Sequence, residues 1–71
     1  MAVYREGERV KIRYAGREIV GKVEISSRDG HAMRLEFNGL LGAYRNGMLV
    51  LREGGQLVDL QKRQPVEVER I

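Results

Sequence analysis

Few side chains of this 71-residue sequence are suited to catalysis. The single histidine, His31, follows Asp29-Gly30 and has the right chemistry for a general base. The nearest hydroxyls, Ser26 and Ser27, lie in a run of turn-forming residues, and no third group is spaced to orient an imidazole. We therefore expect an exposed turn histidine and turn-forming serines. The aspartates and glutamates of the second half fall at outward or loop positions and form no acid pair. There is no cysteine, so disulfides and cysteine-based zinc sites are excluded, and one histidine cannot build a metal cluster alone. Gly39-Leu40-Leu41-Gly42 lacks the lysine and helix of a phosphate loop. The expectation is a non-enzymatic chain with no cofactor and no metal.

The remaining chemistry is electrostatic. Arg9, Lys11 and Arg13 alternate with Val10, Ile12 and Tyr14, with Lys22 alongside and Arg17 at the following turn. Such a stripe can contact phosphates, which sets affinity and salt dependence but carries no sequence information. The net charge is +3, and it resides in residues 1–34, where eight basic groups face five acidic ones; residues 35–71 hold five of each. The aromatics weaken the nucleic-acid reading. Single-strand binders display aromatics for stacking, whereas Tyr14, Phe37 and Tyr44 fall on the expected core face and only Tyr4 is left to project. The competing reading of the stripe is a solvated, ion-paired face.

The elements that position these residues read as β-strands. Nine glycines and one proline punctuate β-branched runs, and no long window has helical spacing of apolar residues. Glu8 to Tyr14 alternates in and out. A loop at Ala15-Gly16 places Ile12 opposite Ile19 and Arg13 opposite Glu18. A loop at Gly16-Arg17 places Lys11 opposite Lys22, so the first register is preferred. Ile19, Val23 and Ile25 then share a face. Between Met33 and Leu60, three dipeptides suited to positive φ start eight residues apart, Asn38-Gly39, Asn46-Gly47 and Gly54-Gly55. Read as two-residue loops, they make a four-strand meander. Its inner rows are Met33, Tyr44, Leu49, Leu60 and Leu35, Gly42, Leu51, Val58. Its outer rows include Asp59 and Arg52 but also Leu41, Met48, Val50 and Leu57. These last four form an apolar outer patch that is either a homo-oligomer or partner surface or is covered within the monomer by Met1–Tyr4 or by a curled neighbouring strand. Val66 to Ile71, after Pro65, is a last strand able to pair with the first.

A chain this short makes one domain, residues 1–71, and buries only about 60% of the surface its unfolded form exposes, so its core is marginal. No apolar run approaches a membrane span, and Met1–Arg9 has no apolar signal-peptide core. The expected location is cytoplasmic, without membrane contact.

Gly7-Glu8-Arg9-Val10-Lys11-Ile12, then Gly16, then Gly21-Lys22-Val23-Glu24-Ile25, resembles the opening hairpin of SH3-like small barrels of Tudor and translation-factor type. The resemblance covers residues 7–30, roughly a third of the chain, and implies a non-enzymatic module that binds RNA, DNA or protein. The long regular meander departs from the usual five short strands. Arg9-Val10-Lys11-Ile12-Arg13 also resembles the R-x-x-x-R element of PilZ domains, and Glu24-Ile25-Ser26-Ser27-Arg28-Asp29-Gly30 their D/N-x-S-x-x-G. Glutamate replaces Asp or Asn there, and Gly30 stands one residue late. That resemblance implies a cyclic dinucleotide held by Arg9, Arg13 and Ser26.

The fold expected is all-β, a six- to seven-stranded antiparallel barrel or strongly bent sheet, mostly up-and-down. The function expected first is a non-catalytic binding or assembly module, self-association included, acting through Leu41, Met48, Val50 and Leu57. The alternative is a nucleic-acid binder acting through Arg9, Lys11, Arg13, Arg17 and Lys22.

Overall fold

The computed structural model describes residues 4–71. They form six antiparallel strands: β1 Arg9–Tyr14, β2 Arg17–Ser26, β3 Ala32–Leu41, β4 Tyr44–Glu53, β5 Gln56–Asp59 and β6 Glu67–Arg70. The strand order is β5-β4-β3-β2-β1-β6, an up-and-down sheet with β6 returning to β1. The sheet curls into a half-barrel. Its two ends meet where Val58 bridges Pro65 and the Val66 N–H donates to the Leu57 carbonyl at 2.8 Å. No helix among the described residues is long and apolar enough to cross a membrane.

The first hairpin follows its local chemistry. Ala15 and Gly16 both take positive φ, and the pairs Ile12↔Ile19 and Arg13↔Glu18 form as the charge argument requires. Its apolar side points inward, with Val10, Ile12 and Val23 fully buried. Gly21 lies where β2 bends between β1 and β3. A Cβ there would collide with the Glu36 carbonyl oxygen and press on Ile12 Cδ1 at 3.0 Å. Both neighbours are fixed, one by the ladder and one by the core. Gly21→Ala is therefore expected to cost about 3 kcal/mol, at the upper end for overpacking, read as a lowered urea midpoint at unchanged m-value. Beyond Gly21, β2 departs from strict alternation. The register slips between Val23 and Ile25, making Glu24 an extra residue. Ile25 consequently turns outward instead of joining Val23 in the core.

The middle of the chain corrects the expected meander. Asn38-Gly39 and Asn46-Gly47 are not two turns; they face one another across a single bulge. The pairs Glu36↔Gly47 and Leu40↔Arg45 leave Phe37, Asn38 and Gly39 opposite Asn46 alone. Gly39 and Asn46 do take positive φ, and the Asn46 side-chain oxygen accepts the Gly39 N–H at 2.9 Å. The chain reverses instead at Gly42-Ala43, between paired Leu41 and Tyr44. Gly42 supplies the positive φ that a loop of this length needs at its first position, and its missing Cβ leaves room for the Tyr14 ring, which would otherwise lie 2.7 Å away. Three strands therefore occupy the span expected to hold four.

This relocation reverses the faces of β4, because a one-residue change of register moves every side chain across a sheet. Leu41, Met48, Val50 and Leu57, expected on an outer patch, are the core of the single chain, between 0% and 6% exposed. Leu49 and Leu60, expected inside, are exposed. The turn at Gly54-Gly55 forms as read, and Leu51↔Val58 pairs accordingly. Met1–Val3, one proposed cover for the outer patch, lie outside the described residues. Tyr4 does not project. Its hydroxyl donates to the Val68 carbonyl at 2.9 Å, and the Arg70 guanidinium stacks 4.5 Å above its ring.

Candidate functional site

The loop that carries the histidine is built by its neighbours. Ser27 Oγ donates to Asp29 Oδ1 at 2.8 Å and accepts the Ala32 N–H at 3.0 Å, while the same Asp29 oxygen accepts the His31 N–H at 3.0 Å. The His31 N–H and the Ser27 hydroxyl hold the Asp29 carboxyl below its ordinary value. His31 contributes its backbone to this loop, and its carbonyl also accepts the Arg52 N–H at 2.7 Å. Among the described residues, no three His, Asp or Glu side chains gather into a metal-binding group.

Asp59, expected on the outer face, is the buried ionisable group of the fold, with no exposure. Tyr44 Oη donates to its Oδ2 at 2.5 Å, the Lys62 N–H to the same oxygen at 2.9 Å, and the Gln64 N–H to Oδ1 at 2.7 Å. Burial by itself pushes the Asp59 carboxyl up, but these donors, with Tyr14, outweigh burial and hold it below its ordinary value. The Tyr44 phenol moves the other way, pushed up to about 12 by burial and by the adjacent carboxylate. The Tyr14 and Tyr44 rings pack edge to face, with centroids 5.9 Å apart. The cluster pins the corner between β5 and β6. The Asp59 carboxylate itself is sealed from solvent and spends its acceptors within the chain, while the Tyr44 ring reaches the surface beside Leu60 and Gln61. The sequence did carry a signal for it: an aspartate followed by a short polar stretch before Pro65 is a side chain able to cap its own turn.

The basic stripe projects outward but is largely neutralised. Lys11 Nζ lies 3.9 Å from both Glu18 and Glu69, and Arg13 lies 2.8 Å from Glu18 and 3.5 Å from Glu67. Lys22 lies 3.3 Å from Glu36. Arg9 and Arg17 have no carboxylate partner among the described residues. Arg13 and Ser26 stand at opposite ends of the sheet, since Arg13 pairs with Glu18 at the start of β2 and Ser26 ends that strand.

The outer face of β2, β3 and β4 carries a different feature. Ile25 pairs with Arg34, Arg34 pairs with Leu49, and the Leu60 N–H donates to the Leu49 carbonyl. These four residues form one row across the sheet. Its three apolar members are 55%, 43% and 42% exposed, far above the core. Arg34 is held to Glu24, the bulge residue, at 2.7 Å. Two shallow hollows flank Leu49: one of ≈ 220 Å³ is shared with Ile25, Ala32 and Arg34, the other of ≈ 180 Å³ with Arg34, Leu60 and Gln61. Single exposed leucines are ordinary; here three exposed apolar residues stand in one contiguous row. Sequence reading missed it because Ile25 reached the surface through a bulge and Leu49 and Leu60 through the moved turn.

No family model, curated protein or solved structure matches this chain.

Proposed function

We propose that the chain is a non-catalytic assembly module that binds a second copy of itself through the outer row Ile25–Arg34–Leu49–Leu60. The observation that carries this reading is the row itself, with apolar residues on both sides of a surface ion pair. A two-fold interface needs a patch that complements itself. The row offers both polar and apolar complementarity: an ion pair of opposite charges, with apolar side chains to either side of it. Small domains with marginal cores gain stability from such pairing.

The test is the mass of the protein in solution. Light scattering over a concentration series is expected to give a dimer for the wild type and a monomer for Leu49→Lys, which places an ammonium beside Arg34 in the contact. The variant keeps its fold, because Leu49 faces solvent within one chain. A wild type that stays monomeric up to millimolar concentration overturns the reading.

A further inference from the structure

Another concavity lies elsewhere on the surface. It is a groove of ≈ 470 Å³, open to solvent, where Arg9, Val20 and Lys22 face Glu36, Asn38 and Asn46. Its origin is topological. The β2–β3 ladder runs from Ser26↔Met33 to Gly21↔Phe37 and stops, while β2 extends back to Arg17 and β3 onward through its bulge to Leu41. The volume falls within the range of small-ligand sites.

Two like charges stand opposite one another at its edge. Arg9 and Lys22 are direct cross-strand partners, and like charges directly opposite are unfavourable. Glu36 offsets Lys22 at 3.3 Å, but Arg9 has no carboxylate partner among the described residues. The groove therefore holds an excess positive charge, carried by a guanidinium suited to grip an oxyanion with two parallel bonds. Next to it stand two amides. Asn46 commits its oxygen to the Gly39 N–H and retains its NH2 as a donor, and Asn38 is exposed. One uncompensated guanidinium, with an ion-paired lysine and amide donors and acceptors beside it, matches a phosphate joined to a hydrogen-bonding base.

We infer that this groove binds a nucleotide unit, its phosphate on Arg9 and Lys22 and its base edge toward Asn38 and Asn46. The open groove suits a single strand passing through it as well as a free nucleotide. The site narrows the basic-strand reading from five cations to two and does not depend on self-association.

The experiment follows amide shifts of the full chain in the Leu49→Lys background, so that loss of the dimer cannot mimic loss of the site. Inorganic phosphate, uridine monophosphate and a short oligouridine are titrated separately at low and high salt. The expected result is salt-sensitive shifts centred on Val20–Lys22 and Asn38 with both the nucleotide and the oligonucleotide. Arg9→Gln is expected to weaken them about tenfold, the effect of one charge-assisted contact. Arg17→Gln removes the same charge outside the groove and is expected to leave affinity within about twofold, since a distant exposed charge is screened by salt. Shifts with the oligonucleotide but not the monophosphate identify a strand as the ligand, and the reverse identifies a free nucleotide. Shifts with phosphate alone, equal losses in the two arginine variants, or no shifts at all overturn the inference.

Discussion

Asp59→Asn is expected to lower the unfolding free energy by about 3 kcal/mol, the cost of leaving a buried donor facing a donor. A domain of this length holds roughly 4–10 kcal/mol in all, so the melting temperature should fall by about 15 °C. The carboxylate is an acceptor at both oxygens, and it uses both. An asparagine offers only one. Turned one way, its NH2 meets the Lys62 N–H; turned the other way, it meets the Gln64 N–H. Tyr44→Phe removes one donor and leaves the acceptor bonded, so it should cost less, about 1 kcal/mol.

The same cluster sets a pH dependence with a definite sign. The folded Asp59 carboxyl titrates below its unfolded value. Its contribution is therefore complete above the unfolded carboxyl value and is lost as pH falls through the folded one. Urea titrations of wild type and Asp59→Asn should show a gap that is full near about pH 7 and shrinks as pH falls below the unfolded aspartate value of about 4. A constant gap over that range would contradict an ionised Asp59. At the alkaline end the Tyr44 phenol, held at about 12 when folded, ionises near 10 when unfolded, so stability falls as pH rises between the two. Tyr44→Phe should remove that part of the decline.

Leu57→Lys is expected to unfold the protein at room temperature, whereas Leu49→Lys leaves it folded. The two leucines belong to the same hairpin, and the registers read from the sequence assign them the opposite roles. Leu57 is 6% exposed and pairs with Arg52 across the strand. A lysine there gives up the burial of a leucine and sets an ammonium against a guanidinium, with an expected loss of about 4 kcal/mol or more. Leu49, at 43% exposure, gives up little, and its new charge stands in water. Circular dichroism of the two variants decides the matter: a folded Leu57→Lys would restore the meander of four strands. The pair also corrects the test that the sequence suggests. A charge at Leu57 destroys the subunit instead of separating subunits.

Much of the sheet was written locally. The alternation from Arg9 to Tyr14, the Ala15-Gly16 loop, the Gly54-Gly55 loop and the return of the last strand to the first each depend on neighbouring residues. A period of two, a pair of positive-φ residues, or an opposed Arg13–Glu18 pair needs no distant partner to act. The two Asn-Gly pairs show where local information ends. Each states that the backbone tolerates positive φ, which a turn and a bulge use alike. The choice between them rests on Gly42, whose hairpin tip lies against Tyr14, a residue almost thirty positions earlier in the chain.

That one distant contact carries the candidate sites with it. Placing the turn at Gly42-Ala43 sends Met48 and Val50 inward and Leu49 outward. It sets Asn46 opposite the β3 bulge and creates the groove beside Arg9. The sequence by itself determined an antiparallel sheet of short strands with a basic first hairpin, because strand period and turn chemistry are properties of adjacent residues. The tertiary structure alone decided which face of β4 is the core, that Asp59 is buried under Tyr44, and that Arg9 lacks the carboxylate partner found by Lys11, Arg13 and Lys22. Those outcomes depend on which strands meet and in what register, and a single-residue slip in that register exchanges the inside of the sheet for the outside.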